Sequence, residues 1–183
     1  MMGWPGSLDS KGFAALVERG ILMGSTMTLS QFLAGALRDG AAAGASATPV
    51  LGSLPVEAAE FSGVRFRTPD GYLSRELRGA KMRTIAGVFD EFAAAFQFPY
   101  YFGENKDAFD ECLRDLDEFV GAASGYVAIV RDSGELLVQR PAEREWFTAA
   151  VTDCAAHWSR RGVPFRVVLQ NAPAELSASA LAL

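Results

Sequence analysis

Two short runs, Tyr126–Val130 and Phe165–Leu169, are apolar almost without a break and carry several β-branched residues. A strand wetted on one face alternates apolar with polar, whereas a strand covered on both faces reads as such a run. Strands of this kind imply helices on the sheet and crossover connections, hence parallel pairing. The chain supplies the helices. Phe147, Val151, Cys154, Ala155 and Trp158 form a stripe at helical period between the two runs, with Pro141 suited to the first turn and Gly162 to the stop. From Thr84, residues Ile85, Val88, Phe89, Phe92 and Phe96 form another stripe, with Asp90 and Glu91 off it and Pro99 ending it. Upstream, Val64–Arg67 alternates apolar with basic, Thr68-Pro69-Asp70-Gly71 has the residues of a turn, and Tyr72–Leu77 is extended. Either the two extended pieces pair as a hairpin or Tyr72–Leu77 joins the main sheet alone. With a short helix over Ser133–Gln139, the order is strand, helix, helix, strand, short helix, helix, strand. The fold class expected is α/β: a small three-stranded parallel sheet flanked by helices, joined by right-handed crossovers.

Between the first long helix and the first buried run lies an aromatic loop that opens into an acidic helix. Pro99 and Gly103 punctuate the loop, and Asn105 has the short side chain of an N-cap. Phe109, Cys112, Leu113 and Leu116 make a stripe at i, i+3, i+4 and i+7, with the helix running to about Leu116. Asp107, Asp110, Glu111, Arg114 and Asp117 occupy the other face. Asp107 and Glu111 are four apart, a like-charge spacing that mildly destabilises a helix. Residues 98–120 hold seven acids against Lys106 and Arg114, an excess equal in size to the whole chain's net charge of −5. Spacing alone leaves two readings open, a solvated face and a surface for a cationic partner. The chain's acidic balance disfavours nucleic acid as a direct partner and favours a basic protein.

The segment Phe98-Pro99-Tyr100-Tyr101-Phe102-Gly103-Glu104-Asn105-Lys106-Asp107-Ala108-Phe109-Asp110-Glu111-Cys112-Leu113 resembles the signature of the barstar family, intracellular inhibitors of secreted guanyl-type ribonucleases. A Leu/Phe-Pro, an aromatic pair, Gly-Glu-Asn, Asp-Ala and a later acid-Cys-Leu follow one another there at this spacing. The resemblance spans roughly residues 72–170 and implies three parallel strands flanked by helices, in agreement with the periodicities. It implies a cytoplasmic, barstar-like protein that binds and inhibits a basic ribonuclease or ribonuclease toxin, as an immunity protein does, by placing carboxylates where RNA phosphate would sit. By position it carries partner contact over to Tyr101, Phe102, Gly103, Asn105, Asp107 and Glu111, with Asp110 on the same face. This chain departs from the family in four places. Glu111 stands where Asp is usual, which displaces the carboxylate by one methylene. Asp110 stands where barstar has a Trp. Phe102 lacks a hydroxyl. His157 and Arg161 fall where the last helix otherwise contributes acid. A barstar-fold interaction module that no longer inhibits a ribonuclease, and binds another basic protein, is the alternative.

An enzyme would need more than this chain offers. Asp107 with Glu111 could form an acid/base pair and His157 could assist, yet it is the only His, and no Ser/His/Asp or Cys/His spacing presents itself. No catalytic residue, metal site or cofactor is expected. Cys112 and Cys154 fall on apolar stripes and read as reduced core residues of a cytosolic protein. No run of about 18 apolar residues suggests a membrane span, and Met1–Gly20 lacks the order of a signal peptide. Residues 1–60 lie outside the resemblance and are expected to form an N-terminal extension that can be removed from a domain at 61–183. Phe13, Ala14, Leu16 and Val17 suit a short helix ending at Gly20. Thr28 and Gln31 have the spacing of a capping box, Met27 and Phe32 that of a hydrophobic staple, and the helix they start should run from Leu29 to about Arg38. Gly40–Pro49 is an Ala/Gly/Ser-rich linker, a helical turn is expected near residues 55–59, and Met27 is a candidate start. The Ala/Ser-rich tail from Asn171 is expected to be frayed or weakly helical.

Overall fold

Along Tyr126–Val130 successive side chains enter two different apolar layers, and that division organises the molecule. The computed structural model describes residues 26–35 and 49–183. Its six strands are β1 (Met27–Thr28), β2 (Leu51–Leu54), β3 (Tyr72–Arg78), β4 (Gly125–Arg131), β5 (Phe165–Gln170) and β6 (Ser179–Ala182). They form one parallel sheet in the order β1-β6-β2-β5-β4-β3. The three strands expected from sequence are the adjacent β5, β4 and β3, with Leu77 opposite Val130 and Ala128 opposite Val167. Tyr72–Leu77 joins the sheet and makes no hairpin with Val64–Arg67, which is a turn of 3₁₀ helix. The sheet therefore has six strands and not three.

Helices cover one face over β3, β4 and β5. These are α3 (Ile85–Phe96), α4 (Lys106–Arg114), α5 (Leu116–Val120) and α6 (Glu143–Ser159), while α1 (Leu29–Leu33) and α2 (Ala58–Phe61) are short. Tyr126, Ala128 and Val130 of β4, with Phe165, Val167 and Leu169 of β5, meet Phe89, Phe92 and Phe96 of α3, Phe109 and Leu113 of α4, and Phe147, Val151 and Trp158 of α6. Each fully buried Val, Leu or Phe among them contributes about 1.5–3 kcal/mol. The stripes read from sequence for α3, α4 and α6 are buried, except for Ile85 at the start of α3, which is half-buried.

The intervening residues Val127, Ile129 and Val168 face the opposite side. There they pack with Met27, Leu29, Phe32, Leu33, Leu54, Phe61, Val64 and Leu181. The second layer is thus built largely from residues before 65. The boundary placed at residue 60 falls inside this layer, and β2 runs beside β5 with Leu51 opposite Val167. Arg166 fastens the layer further: buried on β5, it donates from Nε to the Phe32 carbonyl at 3.0 Å, at the end of α1. The Thr28–Gln31 capping box is present in both directions, and Met27 and Phe32 share one cluster.

Other expectations are corrected. The helix after Thr28 ends at Leu33, well short of Arg38. The turn near residues 55–59 lies slightly later, at α2. The acidic helix breaks at Asp115, where ψ turns to 25°, and resumes as α5. Only Ser133–Glu135 of the segment 133–139 is helical, as one 3₁₀ turn. The tail is no frayed end: Ala174–Leu176 is a 3₁₀ turn and β6 pairs with both β1 and β2. The helix expected near residues 13–20 and most of the Gly40–Pro49 linker lie outside the described residues.

Candidate functional site

The acidic helix begins as its sequence demands. Asn105 is extended, and its Oδ1 accepts from the Ala108 N–H at 2.9 Å, satisfying one of the orphan donors of the first turn. Its Nδ2 donates back to the Gly103 carbonyl at 3.1 Å. A Cβ at Gly103 would lie 2.9 Å from that same Nδ2, so glycine lets the loop close on the cap. Glu104 between them takes φ of 47°, a left-handed conformation that few side chains adopt.

The loop is anchored from inside. The Phe102 ring meets Phe98 at 5.1 Å and Phe89 at 5.7 Å, both edge to face, and Phe98 meets Phe109 at 6.1 Å. Phe102 is therefore half-buried and directed at the core, and of the aromatic pair only Tyr101 is presented to solvent. Tyr101 is 67% exposed and its neighbour Tyr100 100%, the two rings set edge to face at 5.4 Å. Tyr100 lies outside the aromatic pair that the family pattern carries over. Its position directly after Pro99, in a run of three aromatics, was the available signal.

The far end of α4 is held as firmly. The Leu113 carbonyl accepts from Trp158 Nε1 at 2.9 Å and from Cys154 Sγ at 3.4 Å. At the near end Lys106 pairs with Glu143 at 2.6 Å and sits 5.0 Å from the Trp146 ring centre. The helix thus lies along α6 with its start fixed at one end and its last buried residue at the other. Cys112 and Cys154 are buried and unpaired. Burial pushes the Cys112 thiol up to about 11, helped by Asp115 and Glu111, and pushes Cys154 up as well.

The acids of α4 divide. Asp107 and Glu111 are exposed, together with Glu104, Gly103 and Asn105 in the loop. Asp110 is half-buried between α4 and α6, and its Oδ1 is buried without a hydrogen-bond partner. Burial raises its pKa, Arg114 opposes this, and the charges of Asp153 and Asp107 add to the rise. Asp153 escaped the sequence reading because nothing local links α6 to α4. Asp117 on α5 is bound to Arg161 at 2.6 Å, and that hydrogen bond holds its carboxyl below the usual range. Arg161 also lies 4.5 Å over the Trp158 ring, so its charge is committed to Asp117 and Trp158, while His157 beside it is half-buried.

Tyr101, Gly103, Asn105, Asp107 and Glu111 are thus each exposed, on the loop and on the helix it opens into, while Phe102 turns inward as a support and Asp110 lies toward α6. Such a surface offers carboxylates and flat aromatic faces to cationic groups. Among the described residues no group of three His, Cys, Asp or Glu side chains is placed to hold a metal ion, and no helix is long and apolar enough to cross a membrane.

No curated protein matches the chain at a significant level. A family model, Barstar (barnase inhibitor), matches residues 72–170, which begins at the first residue of β3, ends at the last of β5 and contains α3, α4, α5 and α6. With more than half its length so matched, the chain belongs to the barstar family of barnase inhibitors.

Proposed function

We propose that this protein is a cytoplasmic inhibitor of a basic ribonuclease or ribonuclease toxin, which it engages one to one through Tyr101, Gly103, Asn105, Asp107 and Glu111, with Phe102 holding the loop and Asp110 adding to the local field. The carrying observation is that α4, inside the matched segment, exposes Asp107 and Glu111 four residues apart, and the loop that leads into it exposes two tyrosines. Asp107 gains from the helix start, but its pairing with Glu111 at i, i+4 is a like-charge spacing that folding does not favour. Opposed charge across an interface speeds encounter and makes it salt-sensitive, whereas a charge pair that becomes buried on binding governs release. Glu111→Ala is expected to weaken binding to a guanyl-type secreted ribonuclease by about 2–5 kcal/mol, mostly through faster dissociation. Asp110→Asn is expected chiefly to slow association and flatten its salt dependence. The test is inhibition of RNA cleavage together with stopped-flow association at two salt concentrations. Parent-like affinity in Glu111→Ala would remove the acidic face from the site.

A second reading has its own observation. Where the last helix of the family supplies acid, this chain places His157 and an Arg161 already bound to Asp117. That favours a barstar-fold module that binds a different basic protein without inhibiting a ribonuclease. The two readings separate in one assay: a module of the second kind leaves RNA cleavage untouched at concentrations that saturate its own basic partner.

A further inference from the structure

We propose that the open side of β3 is a pairing edge for a second copy of this chain, and that Arg75 and Glu91 keep it closed. β3 ends the sheet, and no described strand lies beyond it. In a parallel pair, alternate residues direct both backbone polar groups to one neighbour, so one parity of β3 serves β4 and the other faces outward. The hydrogen bonds identify the outward set. The Arg78 N–H donates to Glu91 Oε2 at 3.1 Å, the Ser74 carbonyl accepts from Arg75 Nη1 at 3.3 Å, and the Tyr72 N–H donates to the Pro69 carbonyl at 3.1 Å. All three are even-numbered. The N–H groups of Ser74 and Glu76 share that parity and meet no partner among the described residues.

The register for self-pairing follows. An antiparallel two-fold centred on Arg75 sets Ser74 of one copy opposite Glu76 of the other, and each such pair exchanges both of its backbone bonds. The same register puts Arg75 directly across from Arg75, in the close, non-hydrogen-bonded position where like charges repel most. Arg75 is held there by its own bond from Nε to the Ala95 carbonyl at 2.8 Å. Glu91 blocks the end of the same register, where Arg78 would meet Tyr72, by taking the Arg78 N–H and clasping its guanidinium. Charged side chains that occupy an edge are a recognised protection against edge-to-edge association. Here one of them sits at the symmetry point and the other at the boundary of the outward donors of Ser74 and Glu76.

The experiment uses the full chain. Sedimentation velocity over a concentration series is expected to show the parent as a monomer and Arg75→Thr/Glu91→Ala as a concentration-dependent dimer. Adding Ser74→Pro, which deletes an outward N–H that the β3–β4 ladder does not use, is expected to return the monomer. Arg75→Cys alone, which leaves Glu91 in place, gives a readout independent of how the double variant folds. On oxidation it is expected to form a disulfide-linked dimer faster than Arg67→Cys, an exposed position outside the strand. A double variant that stays monomeric, a dimer that ignores Ser74→Pro, equal crosslinking at positions 67 and 75, or a parent that already dimerises through this edge would each overturn the proposal.

Discussion

Asp110 is the residue whose chemistry departs furthest from its place in the sequence. On a helical wheel it belongs to the polar face of α4, yet α6 packs close enough to bury Oδ1 and set Asp153 nearby. Its pKa is raised in the folded protein, so the native state binds a proton more readily than the unfolded chain there. By linkage this carboxyl lowers stability once it ionises: its contribution improves as pH falls through the folded pKa and worsens as pH rises through it. Asp110→Asn is expected to leave stability at neutral pH equal or higher, and to remove that part of the gain on acidification, as measured by urea unfolding at pH 7 and pH 4. Glu91 has the opposite sign. Burial raises its pKa, but the hydrogen bonds and charge of Arg78 outweigh burial, so the carboxyl ends below its usual range. Its contribution is present above the unfolded pKa and lost as pH falls through the folded one. Leu113, three residues past Asp110, is fully buried. Leu113→Ala is expected to cost about 2–5 kcal/mol in urea unfolding, and a change inside about half a kcal/mol, the range of surface substitutions, would refute the face assignment.

Elements were legible in proportion to how much apolar side chain they carry at a fixed period. α3, α4 and α6 each present at least three buried apolar residues at helical spacing, and β4 and β5 are apolar runs, so local pattern sufficed. β2 and β6 have no such pattern. β2 is Leu-Gly-Ser-Leu, and a Cβ at Gly52 would fall 2.4 Å from Leu181 Cδ1. The glycine that allows β2 to approach Leu181 also hides it as a strand. β6 is Ser-Ala-Leu-Ala, small residues that read as a loose tail, and its partners lie more than a hundred residues earlier. Val64–Arg67 failed for another reason: over four residues, alternation of apolar and basic side chains does not distinguish a strand from a 3₁₀ turn. In the site, the cap at Asn105 was readable because capping is local, whereas the inward turn of Phe102 was not, since a loop has no period to say which ring faces the core. Asn105→Ala is expected to cost about 0.5–2 kcal/mol and to speed amide exchange at Ala108, the N–H that the cap holds.

For the molecule as a whole, the sheet takes in β1 and β2, and α1 and Phe61 pack on its second face. Deleting residues 1–60 would remove β1, α1 and β2 and leave Val127, Ile129 and Val168, all at most 2% exposed in the intact chain, facing water. It would also take away the Phe32 carbonyl to which Arg166 donates, and with α1 the cover over that guanidinium. The truncated chain is therefore expected to be poorly soluble or to lose its single cooperative unfolding transition, although the matched segment begins only at Tyr72. A truncation at residue 60 that unfolds in one step at the parent's urea midpoint would show that the second layer is dispensable.

The anchoring of the aromatic loop has a thermodynamic consequence. A flexible loop surrenders conformational freedom when it docks, and that loss is subtracted from whatever its contacts supply. Here Phe98 and Phe102 are already seated among Phe89 and Phe109, and the chain between them is closed by the Phe102 N–H, which donates to the Pro99 carbonyl at 2.9 Å. Most of the ordering has been done by folding itself, so in the proposed binding Tyr100 and Tyr101 would act from a fixed platform. Phe102→Ala, which alters no ring that faces solvent, is expected to make the binding entropy more unfavourable in calorimetry by restoring that freedom to the unbound loop.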